Sequence, residues 1–271
     1  MIKRIVLLYS GGLDSFLLKK YANTYYKEAE IKCIYYKHGA ESEEQEIKRL
    51  PGFVEVLSID WLGRKRKPLP KKDDPFAGAI YIPGRNLVFS VLAACQELPD
   101  EIWMGTVFDE DNFKGTDKNK RFRVETSKLL SYVLSPFIGS VKIRFPFVEE
   151  KWTKNDCVYW ALNNGVVKDE IIRTVSCWNQ QDEKPCGVCK QCFKRHLVFL
   201  LNDIHQEHIK HPIKSNHGRK LLDMYIRIGL NKKVKKNRDE QNVFGMILKC
   251  YQKRLFDKEI LGYIEENYEV S

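Results

Sequence analysis

The stretch that most constrains this chain lies near its start: Ile5-Val6-Leu7-Leu8-Tyr9, then Ser10-Gly11-Gly12-Leu13-Asp14-Ser15, then Phe16-Leu17-Leu18-Lys19-Lys20. The apolar run reads as a buried strand and the stretch behind it as a helix. A strand that passes through a glycine turn into a helix makes an anion site. Glycine reaches φ > 0 and lets backbone approach a phosphate closely. The helix start directs free N–H groups and its positive dipole end at the anion. Ser10 and Ser15 add hydroxyl donors. The loop is not of the Walker type, because no Gly-x-x-x-x-Gly-Lys-[Ser/Thr] occurs in the chain.

The 271 residues suffice for a full core and for one or two domains. A hydrophobic content of 43% with 30% charged residues fits a soluble globular protein. No apolar segment is long enough to span a bilayer, and Met1–Leu8 reads as the first strand rather than a signal peptide. A cytoplasmic protein is expected. The net charge of +10 concentrates in Arg64-Lys65-Arg66-Lys67 with Lys71-Lys72, and between Lys210 and Arg238. These patches suit anionic nucleotides or a solvated face. They lack the aromatic interleaving of a base-stacking surface, so nucleic acid is not the expected partner.

Short β-branched runs alternate with helical patterns through the first two thirds. Ile2–Tyr9, Ile31–Tyr36, Phe53–Ile59, Glu101–Thr106 and Val141–Arg144 read as strands. Asp14–Tyr26, Ser42–Leu50, Asn86–Leu98, Arg121–Leu134 and Thr153–Asn164 read as helices, the last opened by Thr153-x-x-Asp156 as a capping box. This alternation predicts an α/β fold with a doubly wound parallel sheet, whose ligands bind at the carboxyl ends of the strands, where Ser10–Ser15 lies. Gly63–Pro83 carries four prolines and reads as a lid or partly disordered loop beside the site. From about Lys194 the pattern is helical and polar to the end. The expected division is residues 1–200 as the nucleotide-binding domain and 201–271 as a helical extension. His205, His208 and His211, spaced by three, read as surface histidines.

Four of the eight cysteines cluster as Cys177, Cys186, Cys189 and Cys192. Thiolates at two-residue intervals converge on one metal from a tight knuckle, and Gly187 permits the turn. Four sulfurs without histidine suit a closed structural zinc site; an iron–sulfur cluster uses the same ligand count. Lys184, Lys190, Lys194 and Arg195 are expected to offset the negative charge of such a centre. Cys33, Cys95, Cys157 and Cys250 read as buried thiols.

Ser10–Ser15 resembles the PP-loop of the ATP-pyrophosphatase superfamily, whose members adenylate a substrate and release pyrophosphate. With Pro83-Gly84-Arg85-Asn86, Ser176-Cys177-Trp178 and Cys186-Gly187-x-Cys189-x-x-Cys192-x-x-Arg195, the order and spacing resemble the 7-cyano-7-deazaguanine synthase (QueC) family over about residues 1–200. The resemblance implies an ATP-dependent ligase with an adenine nucleotide alpha hydrolase-like fold. ATP would sit on Ser10, Gly11, Gly12, Leu13, Asp14 and Ser15, with Gly84, Arg85 and Asn86 at the nucleotide or substrate. Asp14, Ser15, Arg85 and Asp117 would serve catalysis. Asp14 either helps hold Mg2+ or caps the helix, and Arg85 either contacts ligand or forms an ion pair at the helix start. Zn2+ would be structural, on Cys177, Cys186, Cys189 and Cys192. The substrate would be 7-carboxy-7-deazaguanine, activated as its adenylate and transferred to ammonia. A homodimer is a family-level expectation.

The chain departs from the family in two places. Tyr36-Lys37-His38-Gly39-Ala40-Glu41 stands where the family carries Tyr-Gly-Gln. Asp109–Asn119 stands where the family carries Gly-Tyr-Pro-Asp-Cys-Arg; Asp111 and Asp117 match, but the Cys and Arg are missing. Some relatives in anti-phage operons are thought to join the activated deazaguanine to an amine of a partner protein, and a changed substrate loop with an added helical surface fits that variant. A tRNA-modifying PP-loop enzyme and a non-catalytic zinc-knuckle binding module are the remaining alternatives.

Overall fold

The computed structural model describes residues 2–39, 43–59, 62, 82, 84–110, 117–177, 184–231, 233 and 235–269. They form two compact units. One comprises Met1–Thr106 with Phe113–Pro146, the other Val107–Asn112 with Phe147–Ser271.

The first unit is built on a five-stranded sheet: β1 (Arg4–Leu8), β2 (Glu30–Lys37), β3 (Val54–Ser58), β4 (Glu101–Met104) and β5 (Lys142–Arg144). Its order is β3-β2-β1-β4-β5, and every pairing is parallel. The fold is therefore α/β and doubly wound. The order runs away from β1 in both directions, so right-handed crossovers put helices on both faces and leave a switch point between β1 and β4. Leu7 of β1 lies opposite Cys33 of β2 and Trp103 of β4. All three are buried, as the continuous apolar runs of a two-sided covered sheet require. The intervening helices are α1 (Leu13–Tyr25), α2 (Glu43–Ile47), α3 (Arg85–Glu97) and α4 (Lys120–Leu134). At the β5 edge, α4 supplies what a missing strand would. Ser127 Oγ accepts from the Ile143 N–H at 2.9 Å and Ser131 Oγ from the Val141 N–H at 3.0 Å.

The sequence-derived strands and helices of this unit match in type and order. Of the expected lid, Gly63–Pro83, only Ile82 lies among the described residues. Cys33 and Cys157 are buried as expected, and so is Cys250, but Cys95 is exposed on α3. Its helix turns that position outward while Ala93 and Ala94 face the core.

The second unit is helical: α5 (Pro146–Glu149), α6 (Lys154–Asn163), α7 (Lys168–Ile172), α8 (Lys190–Leu201), α9 (Asn216–Leu230), α10 (Arg238–Gln252) and α11 (Lys258–Asn267). Thr153 and Asp156 form the reciprocal capping box of α6. On α9 the buried positions are Gly218, Leu221, Leu222, Tyr225, Ile226 and Gly229, one stripe at helical spacing. That stripe and α10 pack on α8, where Phe193 stacks on Tyr225 at 5.9 Å. Gly229 is needed at its contact, since a Cβ there would lie 2.2 Å from the Phe244 ring. The carboxy-terminal stretch is thus helical, as expected, and shares its packing with α8. No described helix is long and apolar enough to cross a membrane.

His205, His208 and His211 lie in the non-helical connection between α8 and α9. His205 and His211 are exposed, as expected, but His208 is half-buried. The rings of His208 and His211 gather around His196 of α8, at 5.9 and 5.1 Å between centroids. The connection folds back on α8, which a spacing of three does not disclose.

Candidate active site and four-cysteine knuckle

The loop after β1 is held by its own serines. Ser15 Oγ donates to the Gly12 carbonyl at 3.0 Å and accepts from the Ser10 N–H at 3.2 Å. The two hydroxyls lie 3.2 Å apart, and Ser10 Oγ accepts weakly from the Gly12 N–H at 3.4 Å. Gly11 has φ +72°, the conformation a side chain resists. Gly12 is the N-cap of α1 and has no side chain with which to bond the first N–H groups. A helix start of this kind suits an anion. Leu13 points into the core and anchors the turn, while Asp14 is half-buried behind it.

Gly105, which follows β4, was not singled out by its sequence. A Cβ there would come within 2.9 Å of the backbone of Asp14 and Ser15. The exit of β4 therefore lies flush against the first turn of α1, at the switch point. A glycine inside Glu101–Thr106, a stretch that reads as a strand, was the available signal.

Gly84, at φ +70°, is the N-cap of α3 and opens the helix that carries Arg85 and Asn86. The Asn86 N–H donates to Asp117 Oδ2 at 3.2 Å. Two motifs separated by 31 residues thereby meet. Arg85 is half-buried and lies in the electrostatic surroundings of Tyr35. Burial raises the Tyr35 phenol well above its ordinary value, and Glu46, which accepts its O–H at 2.7 Å, adds to the effect. Pro83, Asp111 and Trp178 lie outside the described residues, as do Ala40 and Glu41.

In the second unit the four cysteine sulfurs all lie within 4.8 Å of one another. Cys186 and Cys192 Sγ are 3.9 Å apart, and Cys189 and Cys192 Sγ 3.4 Å. Backbone N–H groups point at the sulfurs: Cys186 at Cys177 Sγ (3.3 Å), Val188 at Cys186 Sγ (3.4 Å) and Cys192 at Cys189 Sγ (3.4 Å). Such donors favour thiolate. Hydrogen bonds from Cys177 and Cys192 hold the Cys189 thiol well below its ordinary pKa, while the shared protons push Cys177 and Cys192 up. Gly187, at φ +73°, is obligatory, since a Cβ would overlap the Lys210 carbonyl at 1.6 Å. Four convergent sulfurs with N–H support fit a tetrahedral metal site.

Arg195 ties this knuckle to the chain before it. Its guanidinium donates to Gln206 Oε1, Thr174 Oγ1, Ser176 Oγ and the carbonyls of Ile171 and Ile172. The side chain is buried and lies over the Phe199 ring at 4.4 Å. It therefore fixes the strand of chain that delivers Cys177. The lysines expected to balance the cluster are engaged elsewhere: Lys184 with Glu207, Lys190 and Lys194 with Asp239.

The sequence profile described as "Queuosine biosynthesis protein QueC" matches residues 4–202. The chain belongs to the QueC family. The match begins at β1 and ends just past α8, so it takes in the PP-loop, the Gly84–Asn86 turn and the whole knuckle. One QueC-family relative, the 7-cyano-7-deazaguanine synthase of Methanobrevibacter smithii, is 26% identical over 230 residues, covering 75% of this chain and 96% of that protein. Among solved structures, the U34-tRNA thiolase NcsA from Methanococcus maripaludis with its [4Fe-4S] cluster matches at TM-score 0.38 and 14% identity, over 99% of this chain and 74% of that one. At that score it adds nothing about this chain.

Proposed function

We propose that this QueC-family chain is an ATP-dependent C–N ligase that adenylates the carboxylate of a 7-deazaguanine. The supporting observation is the family match, running from β1 through the knuckle, on a loop whose geometry suits a phosphate. A carboxylate is a poor electrophile until one oxygen becomes part of a good leaving group. The substrate carboxylate oxygen attacks the α-phosphorus of ATP, and the bond to pyrophosphate breaks. An amine nitrogen then attacks the acyl carbon, AMP leaves with the bond electrons, and the nitrogen loses a proton. The N–H groups at Gly11, Leu13 and Asp14 hold the phosphates and spread the charge of departing pyrophosphate, while the Ser10 and Ser15 hydroxyls, bonded to the Gly12 N–H and carbonyl, shape the loop around them. Asp14 helps hold Mg2+, Arg85 neutralises phosphate or carboxylate charge, and Asp117 orients the deazapurine while bonding the Asn86 N–H. Cys177, Cys186, Cys189 and Cys192 hold zinc, which closes the knuckle and contributes folding energy.

Ammonia is the first acceptor proposed, with a second activation dehydrating the amide to the nitrile. A protein amine, as in anti-phage defence, is the second. Two features favour it: the Cys and Arg of the family's substrate block are absent, and residues 203–271 extend beyond the family match. We further propose a cytoplasmic homodimer, with 201–271 as its helical extension.

The test incubates the protein with ATP, Mg2+ and 7-carboxy-7-deazaguanine, with and without ammonium, and follows AMP and the base by mass spectrometry. Amide or nitrile establishes the synthase chemistry. AMP without a small-molecule product directs the search to a protein adduct. No ATP consumption overturns the ligase reading, and turnover that requires tRNA replaces it with a tRNA-modifying one. Metal analysis of the same preparation distinguishes zinc from iron.

A further inference from the structure

The first of the two places where the chain departs from its family has a built interior. His38 follows β2 directly and is 6% exposed. Its Nδ1 lies 2.9 Å from the Tyr36 carbonyl and 3.2 Å from Glu43 Oε1. Both neighbours accept only, so Nδ1 carries the proton and the tautomer is fixed. Glu43 is 3% exposed and opens α2. Its carboxylate accepts the His38 N–H, and the Gly39 N–H at 3.0 and 3.2 Å. A buried carboxylate is thus caught by two backbone donors and one imidazole.

Two contacts give this latch a bearing on the PP-loop. From the chain that Glu43 opens, the Glu46 carbonyl and Leu50 Cδ2 would lie 3.8 and 3.3 Å from a Cβ on Gly11, so α2 and its end wall the loop at its positive-φ glycine. Toward the other motif, the His38 ring meets Phe89 edge-on, at 5.6 Å between centroids. Phe89 lies one turn beyond Arg85 and Asn86 on α3. One side chain therefore touches the element that backs Gly11 and the helix that carries Arg85.

We propose that His38 and Glu43 are positioning residues for the ATP site: the latch holds α2 against Gly11 and sets α3 in register with the loop. The proposal rests on the reading of Ser10–Ser15 as an ATP loop. A bond that keeps a wall in place is felt by the ligand as lost preorganisation, on the order of one hydrogen bond or about tenfold in affinity.

The geometry of the Nδ1–H makes the test specific. Asparagine presents its amide N–H near the position of Nδ1, glutamine presents it one bond further out, and leucine removes it. The full-length protein and the variants His38→Asn, His38→Gln and His38→Leu are titrated calorimetrically with Mg·ATP in the absence of acceptor, alongside thermal melts. We expect His38→Gln and His38→Leu to bind ATP about tenfold more weakly and His38→Asn to stay within about twofold of the parent. If His38→Leu does not fold, the Asn and Gln pair carries the comparison. Equal binding by Asn and Gln variants, or melting changes with unchanged affinity, would overturn the positioning role and leave the ATP loop intact. Failure of the parent protein to bind Mg·ATP would overturn both.

Discussion

Replacing Arg195 by lysine tests how the knuckle is assembled. The guanidinium makes five hydrogen bonds, to Gln206, Thr174, Ser176, Ile171 and Ile172, at 2.8–3.2 Å. Lysine has three donors on one nitrogen and no planar fork, so at least two bonds are lost while the positive charge stays buried. Charged-donor bonds contribute roughly 1.5–3 kcal/mol each. Two of the acceptors are insured: the Ile171 carbonyl also accepts from Thr174 Oγ1 at 2.7 Å, and the Ile172 carbonyl from Gln206 Nε2 at 3.1 Å. No carbonyl is orphaned, so the lower end applies, about 3 kcal/mol. Because Thr174 and Ser176 precede Cys177, the same change loosens one of the four cysteines proposed to hold the metal. Urea unfolding followed by far-UV circular dichroism reads the first effect, and the rate of metal loss to a chelator reads the second. A variant within about 1 kcal/mol of the parent, releasing metal at the parental rate, would refute the claim that Arg195 seats Cys177.

Gly105→Ala places a methyl group 2.9 Å from the backbone of Asp14 and Ser15, so it should displace the start of α1 and abolish ATP turnover, while destabilising the fold by about 1–3 kcal/mol; normal kinetics would show that the loop tolerates the shift. Cys189→Ser should lose the bound metal and lower the melting temperature, because binding is coupled to folding; retained metal by mass spectrometry would remove Cys189 from the ligand set. His196 is held down to about 3, chiefly by burial and then by His211 and His208. The unfolded chain therefore binds the extra proton between about pH 6.5 and 3, so stability should fall as pH drops through that window. Roughly 1–2 kcal/mol should go by pH 5, allowing for partial exposure of the ring, and His196→Leu should remove that loss; identical pH slopes in urea for parent and variant would contradict it.

The parts of the site legible in the sequence are those whose signals are local. The glycine turn of Ser10–Ser15 follows its strand within a few residues, and the Thr153–Asp156 capping box spans one helical turn. The cysteines are separated by two intervening residues, except for Cys177. For them, residue type and spacing already fix the backbone geometry. Gly105 was missed because its constraint comes from the backbone of Asp14, some ninety residues earlier. The gathering of His208 and His211 around His196 was missed for the same reason, and so was the engagement of Lys190 and Lys194 by Asp239.

The sequence by itself determined the α/β alternation, the parallel sheet, the glycine turn from β1 into α1 and the four-cysteine cluster, because strand period, glycine conformation and cysteine spacing act over a few residues. Only the tertiary structure decided that the compact units divide at Pro146 and Phe147, that α9 and α10 share their packing with α8, and that Asn86 meets Asp117. It also decided that His38 joins Glu43 to Phe89. Those outcomes depend on which buried surfaces and unsatisfied donors meet across long loops, and that is settled by the packing of the whole chain.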